Sequence, residues 1–589
     1  MTTDSRISND SKRQFSTVTK YLRKYRGYLY AGGVAVVMAN ALILVVPYVS
    51  KLVFDALEAG RPDSVILRYV AIAFGLAVLS GVFRFAMRRT IIWMSRYIEY
   101  DLRGEIFAHL LALSPSFYHG TRTGDLMARM TNDLEAVRQM LGPGIMYISD
   151  TIIKLTVSFA VMVYLSPRLT LYAVIPLIIL PVAVNKIGNL LHRRSMRVQE
   201  KFSEVTATAQ ENLAGIRVVK AYRQEEPEIE NFGKLSTDYI RLNMALARLQ
   251  GLFIPSMRLL ASASYLVVFY FGGMEIMRNE LSLGDIVAFF GYLAMILWPM
   301  VAIGWVTSLY QRGKASLERI NRILFTPPDV SDGDGSNYGE PMKGKIEFKN
   351  LSFGYNGHRV LENVNLTVQP GQTIGLVGMT GSGKTTLVSI LARLYRVDDG
   401  RVFIDDIDIN QWKLAALRRQ IGFATQEPFL FSDTVAENIR FGRDVSGIDE
   451  ITRTAEIAAL AKDVDSFRDG YDTVVGERGI TLSGGQKQRT AIARAILGRP
   501  SILIFDDVTS SVDTETEHQI NERIKQVLSR RTSIIISHRV SSVKDADVIL
   551  YLDEGKIAEQ GSHEQLMRLN GSYAELYRSQ LLEMELEQL

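Results

Sequence analysis

The 589-residue sequence contains no cysteine, which excludes disulfide bonds and thiolate metal ligands but leaves the compartment undecided. It has no strong excess of one charge either. The formal net charge is +4, and we expect the basic residues to flank membrane helices rather than to bind nucleic acid. No cleavable signal peptide and no internal repeat are visible. At this length the chain is too long for one hydrophobic core, so at least two domains are expected.

The first half of the chain contains long runs without Asp, Glu, Lys or Arg. Gly27–Ser50 and Ile286–Gln311 each exceed the roughly 20 helical residues that cross a bilayer core. Four shorter charge-free runs are Tyr69–Phe83, Leu155–Pro167, Leu169–Asn185 and Leu259–Met274. We predict six membrane spans, whose helices continue beyond the bilayer into charged extensions.

Basic residues precede the first span, and they predict the orientation of the chain. Lys20, Arg23, Lys24 and Arg26 alternate with apolar residues, which favours a short interfacial helix within 1–26. By the positive-inside rule this segment stays in the cytoplasm. We therefore predict a multi-pass protein of the cell (inner) membrane, with its N-terminus and its second half in the cytoplasm.

A change in composition at 327–342, PPDVSDGDGSNYGEPM, marks the clearest boundary. The segments after it alternate between buried strands, such as TIGLVG and SILIFD, and helical stretches such as KQRTAIARAIL. We predict an all-α six-helix transmembrane domain (27–326), this linker, and an α/β P-loop domain (343–589).

The sequence GMTGSGKT at 378–385 stands between a predicted strand and a predicted helix. Gly378, Gly381 and Gly383 let the backbone N–H groups face a β-phosphate at the positive end of the helix. Lys384 adds a charge for the β- and γ-phosphates, and the Thr385 hydroxyl suits Mg²⁺. Asp506, at the end of the apolar strand ILIF, offers a carboxylate for the same ion. These residues predict ATP and Mg²⁺ as ligands.

A second motif, LSGGQ at 482–486, narrows the prediction. Together with ILIFDD at 502–507 and His538, it resembles the nucleotide-binding domain of ATP-binding-cassette (ABC) transporters. Six spans fused to a C-terminal ATPase resemble the exporter-type half-transporters of that family. The resemblance implies a dimer, because the family requires two membrane domains and two ATPase domains.

The resemblance also implies roles for individual residues. Tyr355 would stack on adenine, Gln426 would touch Mg²⁺, and His538 would contact the γ-phosphate. The other implied ATP contacts are Met379, Thr380, Ser382 and Thr386 of the loop and helix, Ser483, Gly484, Gly485 and Gln486 of the signature, and Asp513. In the family the signature faces the ATP held by the other subunit.

Two cytoplasmic segments, 117–133 and 215–232, resemble the coupling segments of exporter-type ABC proteins. In that family these short helices dock on nucleotide-binding domains, the second on that of the partner. The alternative is that both are charged, solvated loops.

One position departs from the family pattern: Asp507 stands where a glutamate usually polarises the attacking water. Aspartate is one methylene shorter, and an error of about 1 Å in positioning can cost on the order of 10²-fold in rate. We expect weak or no hydrolysis by the chain alone and a degenerate site within a heterodimer, whose partner supplies the glutamate. A homodimer with a slow base is the alternative.

Charged residues in or beside the spans bear on the cargo. Asp150 and Lys154 lie four residues apart, so they either neutralise each other or, with Arg84 and Arg258, line a polar translocation cavity. Aromatic residues and methionines of the last span favour an amphipathic drug or lipid as substrate, and a peptide remains open. The rival function is an ATP-gated channel or regulatory subunit.

Overall fold

The computed structural model describes residues 16–332, 339, 341–355, 357–443, 447–476, 482–509, 514–528 and 531–587. The chain forms two compact units. The helical unit comprises Met1–Leu111 and Arg122–Thr326, and the α/β unit comprises Ala112–Thr121 and Pro327–Leu589. The short segment Ala112–Thr121 thus groups with the second half of the chain, although the sequence placed it within 27–326.

The helices of the first 326 residues follow one another with short connections. They are α1 (Arg26–Glu58), α2 (Asp63–Ala112), α3 (Pro115–His119), α4 (Thr123–Ala128), α5 (Leu134–Gln139), α6 (Ile145–Leu165), α7 (Pro167–Ala214), α8 (Ile216–Ala221), α9 (Glu225–Met277) and α10 (Leu283–Leu324), with π-helical turns at Arg129–Asp133 and Met140–Gly144. Residues 16–24 are also helical, within the segment predicted to lie at the membrane interface.

Five helical stretches of the described residues are long and apolar enough to cross a membrane: Arg26–Glu58, Asp63–Ala112, Thr123–Leu165, Glu225–Met277 and Leu283–Leu324. The predicted span at Leu169–Asn185 lies on α7. Several side chains there are outside the described set, so this sixth span stays a prediction.

Local signals fix where the long helices begin. Ser282 caps α10, because its hydroxyl accepts a hydrogen bond from the Asp285 N–H (3.1 Å) while the Asp285 carboxylate accepts one from the Ser282 N–H (3.0 Å). The same carboxylate forms an ion pair with Lys51 of α1. Ser166 caps α7 directly before Pro167, whose fixed φ suits a first helical position.

The core of the helical unit lies where α1, α6, α7, α9 and α10 meet. Its buried residues include Leu44, Met162, Leu169, Val268 and Phe289. The hydroxyl of the buried Tyr292 donates to the Leu44 carbonyl (2.9 Å), so this polar atom is satisfied within an apolar layer.

Ion pairs tie the helical unit together at the charged ends of its helices. The Asp133 carboxylate accepts hydrogen bonds from the Ser316 hydroxyl (2.9 Å) and from Arg319 Nε (2.8 Å), both on α10. Lys20 of the N-terminal helix pairs with Glu105 of α2 (2.7 Å). These contacts hold charged helix ends that apolar packing would not fix.

The α/β unit contains two sheets and the remaining helices. Its strands are β1 (Ile346–Tyr355), β2 (His358–Val368), β3 (Thr373–Gly378), β4 (Val402–Ile404), β5 (Ile407–Asp408), β6 (Ile421–Ala424), β7 (Ile502–Asp506), β8 (Thr532–Ile536), β9 (Val548–Asp553) and β10 (Lys556–Gly561). Its helices are α11 (Lys384–Leu391), α12 (Leu414–Arg419), α13 (Val435–Arg440), α14 (Ile448–Ile457), α15 (Ala461–Ser466), α16 (Gly484–Ile496), α17 (Thr514–Leu528), α18 (His563–Leu569) and α19 (Ser572–Glu587).

The two sheets differ in topology. The smaller sheet has the order β2-β1-β4-β5 and is antiparallel, and the larger has the order β10-β9-β3-β8-β7-β6. In the larger sheet β9, β3, β8, β7 and β6 run parallel, and only β10 is antiparallel to its neighbour. The strand β7 is buried along its whole length and β3 after its first residue, as expected for a parallel sheet covered on both faces.

Candidate functional site

Four parallel strands of the larger sheet end at the same edge, and each is followed by predicted site residues. The glycine-rich loop follows β3, Gln426 follows β6, Asp507 follows β7 and His538 follows β8. Because the carboxyl ends of parallel strands meet at one edge, residues about 160 positions apart in the chain come together. Ligands of open α/β sheets bind at such an edge.

Three glycines of the loop adopt positive φ: 146° at Gly378, 85° at Gly381 and 99° at Gly383. A Cβ at Gly378 would lie 2.1 Å from the Leu552 carbonyl oxygen, and one at Gly383 would lie 2.7 Å from a Leu361 side-chain carbon. Only glycine satisfies both the backbone conformation and the close approach. The loop ends at Gly383, which caps the N-terminus of α11.

Lys384 is the first residue of α11, and it is buried. Its Nζ donates to the carbonyls of Gly378 and Met379, both at 2.8 Å, and lies 3.3 Å from the Ser382 hydroxyl. Burial lowers the pKa of this ammonium group, although the carboxylates of Asp506 and Asp507 oppose the shift. An anion beside Nζ would offset this loss of hydration. The positive end of the α11 dipole favours an anion at the same place.

A cavity of about 240 Å³ opens at this edge of the sheet. It is lined by the backbone and side chains of the predicted phosphate loop together with the three strand ends: Val360, Thr380, Gly381, Gly383, Lys384, Thr385, Thr386, Gln426, Asp506, Ile536 and His538. Nine of the residues that the sequence assigned to one nucleotide are therefore gathered around one space.

The oxygen atoms in this cavity suit a hard divalent cation. Asp506 is almost fully buried, and burial raises its pKa, while the Thr385 hydroxyl hydrogen-bonds to its carboxylate and lowers it. The hydroxyl of Thr385, the carboxylate of Asp506 and the amide oxygen of Gln426 are the kinds of ligand that Mg²⁺ prefers. The described residues contain no group of three or more His, Cys, Asp or Glu that could hold a metal. Mg²⁺ here would therefore rely on nucleotide phosphates and water for its other ligands.

Asp507 lies beside the cavity in a left-handed backbone conformation (φ 49°) and is buried. Its N–H donates to the Ile536 carbonyl (2.9 Å), which fixes the backbone between β7 and β8. One carboxylate oxygen lies 3.4 Å from Gln426 Nε2, and the other lies 3.4 Å from the His538 N–H. Both contacts are longer than ordinary hydrogen bonds, so the carboxylate is held loosely between its two neighbours.

Tyr355 ends β1, and its hydroxyl donates to the Thr386 hydroxyl (3.2 Å) at the first turn of α11. Its ring packs edge-to-face on Phe353 (5.1 Å) and on Tyr395 (5.1 Å). These contacts orient the ring that the sequence proposed for stacking on adenine.

Two residues of this aromatic cluster were missed by sequence reasoning. Burial raises the pKa of Tyr395 to about 12. His119 of α3 shares a hydrogen bond with the Tyr395 hydroxyl (3.0 Å), and its ring lies 6.4 Å from those of Tyr395 and Tyr355. A signal was available, because His119 falls in the segment that resembles a coupling helix. No local pattern, however, pairs it with residues more than 230 positions away.

The signature residues do not line the cavity. Ser483 caps α16: its hydroxyl accepts from the Gln486 N–H (3.2 Å), and Gln486 Oε1 accepts from the Ser483 N–H (3.0 Å). Gln486 also donates to Asp463 (3.1 Å), which Arg489 contacts at 2.8 Å. At the N-terminus of α16, Ser483 and Gly484 are exposed. Asp513 lies outside the described residues.

The two predicted coupling segments contain short helices. The first overlaps the end of α3 and contains α4. Ser114, directly before α3, accepts a hydrogen bond from the Val330 N–H (3.1 Å) within the α/β unit. The second contains α8, in which Ile216 and Val218 expose 43% and 62% of their surfaces, and Tyr222, directly after the helix, exposes 74%. Val218 and Tyr222 are four residues apart and lie on the same side, and an exposed apolar surface of this kind is typical of one that packs against another molecule.

Two family models match the chain. The model described as the ABC transporter transmembrane region matches residues 29–300, and the model described as ABC transporter matches residues 361–510. A helical transmembrane domain is therefore followed by an ABC ATPase domain with α/β sheets, which confirms the predicted fold class.

The chain is similar to curated bacterial proteins over nearly its whole length. It is 37% identical to the "Probable multidrug resistance ABC transporter ATP-binding/permease protein YheI" of Bacillus subtilis (96% of this chain, 98% of the relative). It is 36% identical to the "Multidrug resistance-like ATP-binding protein MdlA" of Escherichia coli (98% of each). It is 34% identical to the "ATP-dependent lipid A-core flippase" of Nitrosococcus oceani (97% and 96%).

A solved structure, described as a bacterial Atm1-family ABC exporter with ATP bound, superposes with a TM-score of 0.78 at 29% identity. It covers 94% of this chain, and the chain covers 99% of it.

Proposed function

The chain belongs to the ABC transporter family, and on that premise we propose that it exports an amphipathic drug or lipid across the cell membrane by ATP-driven alternating access. The observation that carries the proposal is the gathering of the phosphate loop, Asp506, Gln426 and His538 around one cavity in an ATPase unit fused to membrane-length helices. The relatives named for multidrug resistance and lipid A-core transport support the class of cargo.

The proposed chemistry follows from the positions of these side chains. Lys384 and the loop N–H groups would bind the β- and γ-phosphates, and Thr385, Asp506 and Gln426 would hold Mg²⁺, which supplies charge neutralisation when bound. Tyr355 would stack on adenine. Asp507 would orient the attacking water, and His538 would contact the γ-phosphate.

We place the signature of this chain at a second ATP site, formed with a partner. Ser483 and Gly485 lie at the N-terminus of α16 and do not line the cavity of their own chain. A helix N-terminus favours an anion, so the anion here would be a phosphate held by another subunit. The exposed face of α8 supports the same inference, because it needs a surface to pack against. We propose that the partner is a different half-transporter bearing a catalytic glutamate, so that the Asp507 site of this chain is the slow one. A homodimer with two slow sites is the alternative.

The orientation is part of the proposal. The N-terminal helix and the ATPase unit would face the cytoplasm, where ATP is available, and the membrane would be the inner membrane of a bacterium. The basic residues Lys20, Arg23 and Lys24 before α1 support it.

Transport against a gradient tests the export function. The chain, alone and with a glutamate-bearing partner, is reconstituted into liposomes with its ATPase units outside. The probes are a fluorescent amphipathic dye and a fluorescently labelled lysophospholipid. We expect accumulation of a probe above its external concentration, only with Mg²⁺ and ATP, and loss of accumulation when the partner's catalytic glutamate is replaced by glutamine.

The same experiment distinguishes an exporter from an ATP-gated channel, the rival function. An ATP-gated channel would let a probe equilibrate when ATP binds, without accumulation and without hydrolysis. Such equilibration, in a complex that binds ATP normally, would overturn the exporter proposal.

A further inference from the structure

A second cavity, of about 270 Å³, lies within the helical unit among α2, α6 and α10. Eight residues line it: Arg84, Met87 and Arg88 from α2, Met146, Tyr147, Asp150 and Lys154 from α6, and Trp298 from α10. It therefore combines positive charge with large apolar side chains at one place.

One charged pair in this cavity neutralises itself. Lys154 Nζ lies 2.7 Å from an Asp150 carboxylate oxygen, and both side chains are largely buried. The sequence offered two interpretations for this pair, mutual neutralisation or the lining of a polar cavity. The structure shows the neutralising pair, and both residues line this cavity with Arg84, whereas Arg258 does not.

The two arginines remain as positive charge. Arg84 and Arg88 lie one helical turn apart, so both guanidinium groups project from the same face of α2. Within the described part of the chain, no carboxylate lies within ion-pair distance of either. Cations left unpaired beside a bilayer are costly and usually mark a functional site.

The position of the arginines along α2 fits a lipid-like headgroup. Arg84 directly follows the charge-free run Tyr69–Phe83, so it lies where the apolar part of the helix ends. In the proposed orientation this end faces the cytoplasm, at the depth of the headgroups of the inner leaflet.

The apolar lining offers room for a hydrocarbon tail next to this charge. The indole of Trp298 is 63% exposed, whereas Met87 and Met146 are buried and form the adjoining wall. The Tyr147 ring is held edge-to-face against Trp305 (5.1 Å). Flexible methionines beside an exposed aromatic ring are typical of a surface that adapts to apolar ligands.

We propose that this cavity binds the phosphate-type headgroup of an anionic amphiphile, with Arg84 and Arg88 contacting the phosphate oxygens and Trp298 contacting the tail. Guanidinium groups bind phosphate through paired, charge-assisted hydrogen bonds, which lysine and neutral donors do not reproduce. That this amphiphile is the transported cargo rests on the proposed export function. The cargo class is thereby narrowed from amphipathic molecules in general to those with an anionic phosphate head.

Equilibrium binding without nucleotide tests the site. The full-length chain in phosphatidylcholine nanodiscs is titrated with oleoyl-lysophosphatidic acid and with oleoyl-lysophosphatidylcholine, which share the tail and differ in headgroup charge, and empty nanodiscs give the background. We expect lysophosphatidic acid to bind at least about tenfold more tightly. Arg84→Gln and Arg88→Gln should each weaken it by about tenfold, and the corresponding lysine variants by less.

Arg89→Gln is the matched control. Arg89 is the next residue on the same helix, but it does not line the cavity, and its guanidinium lies over the Trp93 ring at 4.9 Å. It should leave binding unchanged. Thermal unfolding of every variant shows that a loss of binding is not a loss of folding.

The outcomes separate this site from the export function. Equal affinity for both lipids, or an equal loss of lysophosphatidic acid binding in the Arg84 and Arg89 variants, would overturn the proposed site. Displacement of lysophosphatidic acid by micromolar inorganic phosphate would mean that the site takes a free anion rather than an amphiphile, and would also overturn it. Binding as expected, without ATP-driven accumulation of the same lipid when the dye does accumulate, would leave the site in place and reject this lipid as the cargo.

Discussion

Asp507→Glu should raise ATP turnover by on the order of 10²-fold in the chain purified alone. In the structure one carboxylate oxygen of Asp507 lies 3.4 Å from Gln426 Nε2, and the other lies 3.4 Å from the His538 backbone nitrogen. One additional methylene advances the carboxylate by about 1 Å or more, which is the scale of misplacement that costs on the order of 10²-fold in rate. In an assembly of two copies each signature is intact, so the substitution removes the departure from the family pattern at this site.

The same substitution should cost some stability. Asp507 has φ 49°, a conformation that aspartate tolerates better than longer side chains do. We expect glutamate to lower the free energy of unfolding of the ATPase unit by about 1 kcal/mol. The gain in turnover and the loss in stability are separately measurable, and they have opposite signs.

The assay compares turnover of wild type, Asp507→Glu and Asp507→Asn at saturating ATP, after crosslinking has shown that each variant dimerises. The asparagine variant has the size of aspartate without its charge, and should hydrolyse more slowly than wild type. In a complex whose partner has a degraded signature, Asp507→Glu should gain little. A dimeric Asp507→Glu protein that binds ATP normally and turns over no faster than wild type would refute the argument from side-chain length.

Three further results are expected. In the heterodimer, Lys384→Ala should weaken nucleotide retention at the slow site but leave substantial hydrolysis. Ser483→Ala should abolish most of the turnover, because that signature would complete the strong site. A larger loss of turnover in the Lys384 variant would reverse the assignment of the slow and strong sites. Gly383→Ala should lower ATP affinity by more than Gly381→Ala in an equilibrium titration, because both have positive φ but only the Gly383 Cβ would meet β2, at 2.7 Å. Tyr355→Ala should weaken ATP binding by roughly tenfold or more and Tyr355→Phe by much less, since stacking requires only the ring; similar losses in both variants would argue against stacking.

Much of the fold was predictable because its signals are local. The charge-free runs Gly27–Ser50 and Ile286–Gln311 lie within α1 and α10, and the glycine-rich loop stands between β3 and α11. The convergence of Gln426 and His538 on that loop was predictable as well, because a parallel sheet places the ends of its strands together.

Other features depend on contacts that no local pattern encodes. His119 meets Tyr395 across 276 positions, through a segment that the sequence assigned to the membrane half. The arginine-lined cavity requires α2, α6 and α10 to pack together, and the sequence showed only that Arg84 and Asp150 lie near apolar runs. The left-handed backbone of Asp507 is held by a hydrogen bond to Ile536 of the neighbouring strand, a contact that the sequence around Asp507 does not encode.

The geometry of the signature bears directly on why a departure at Asp507 can be tolerated. The capping box of α16 satisfies the N–H groups of Ser483 and Gln486, whereas those of Gly484 and Gly485 have no partner within the helix. These two could bind an anion, and the cavity of the same chain does not include them. If each chain thus contributes its phosphate loop to one ATP site and its signature to the other, a shortened base impairs only the first site. The intact signature then retains its full effect on the second site, where a partner's glutamate acts. A chain in which both the base and the signature were altered would impair both ATP sites at once. The coexistence of Asp507 with an unaltered LSGGQ therefore favours a division of labour between two different subunits over a uniformly slow enzyme.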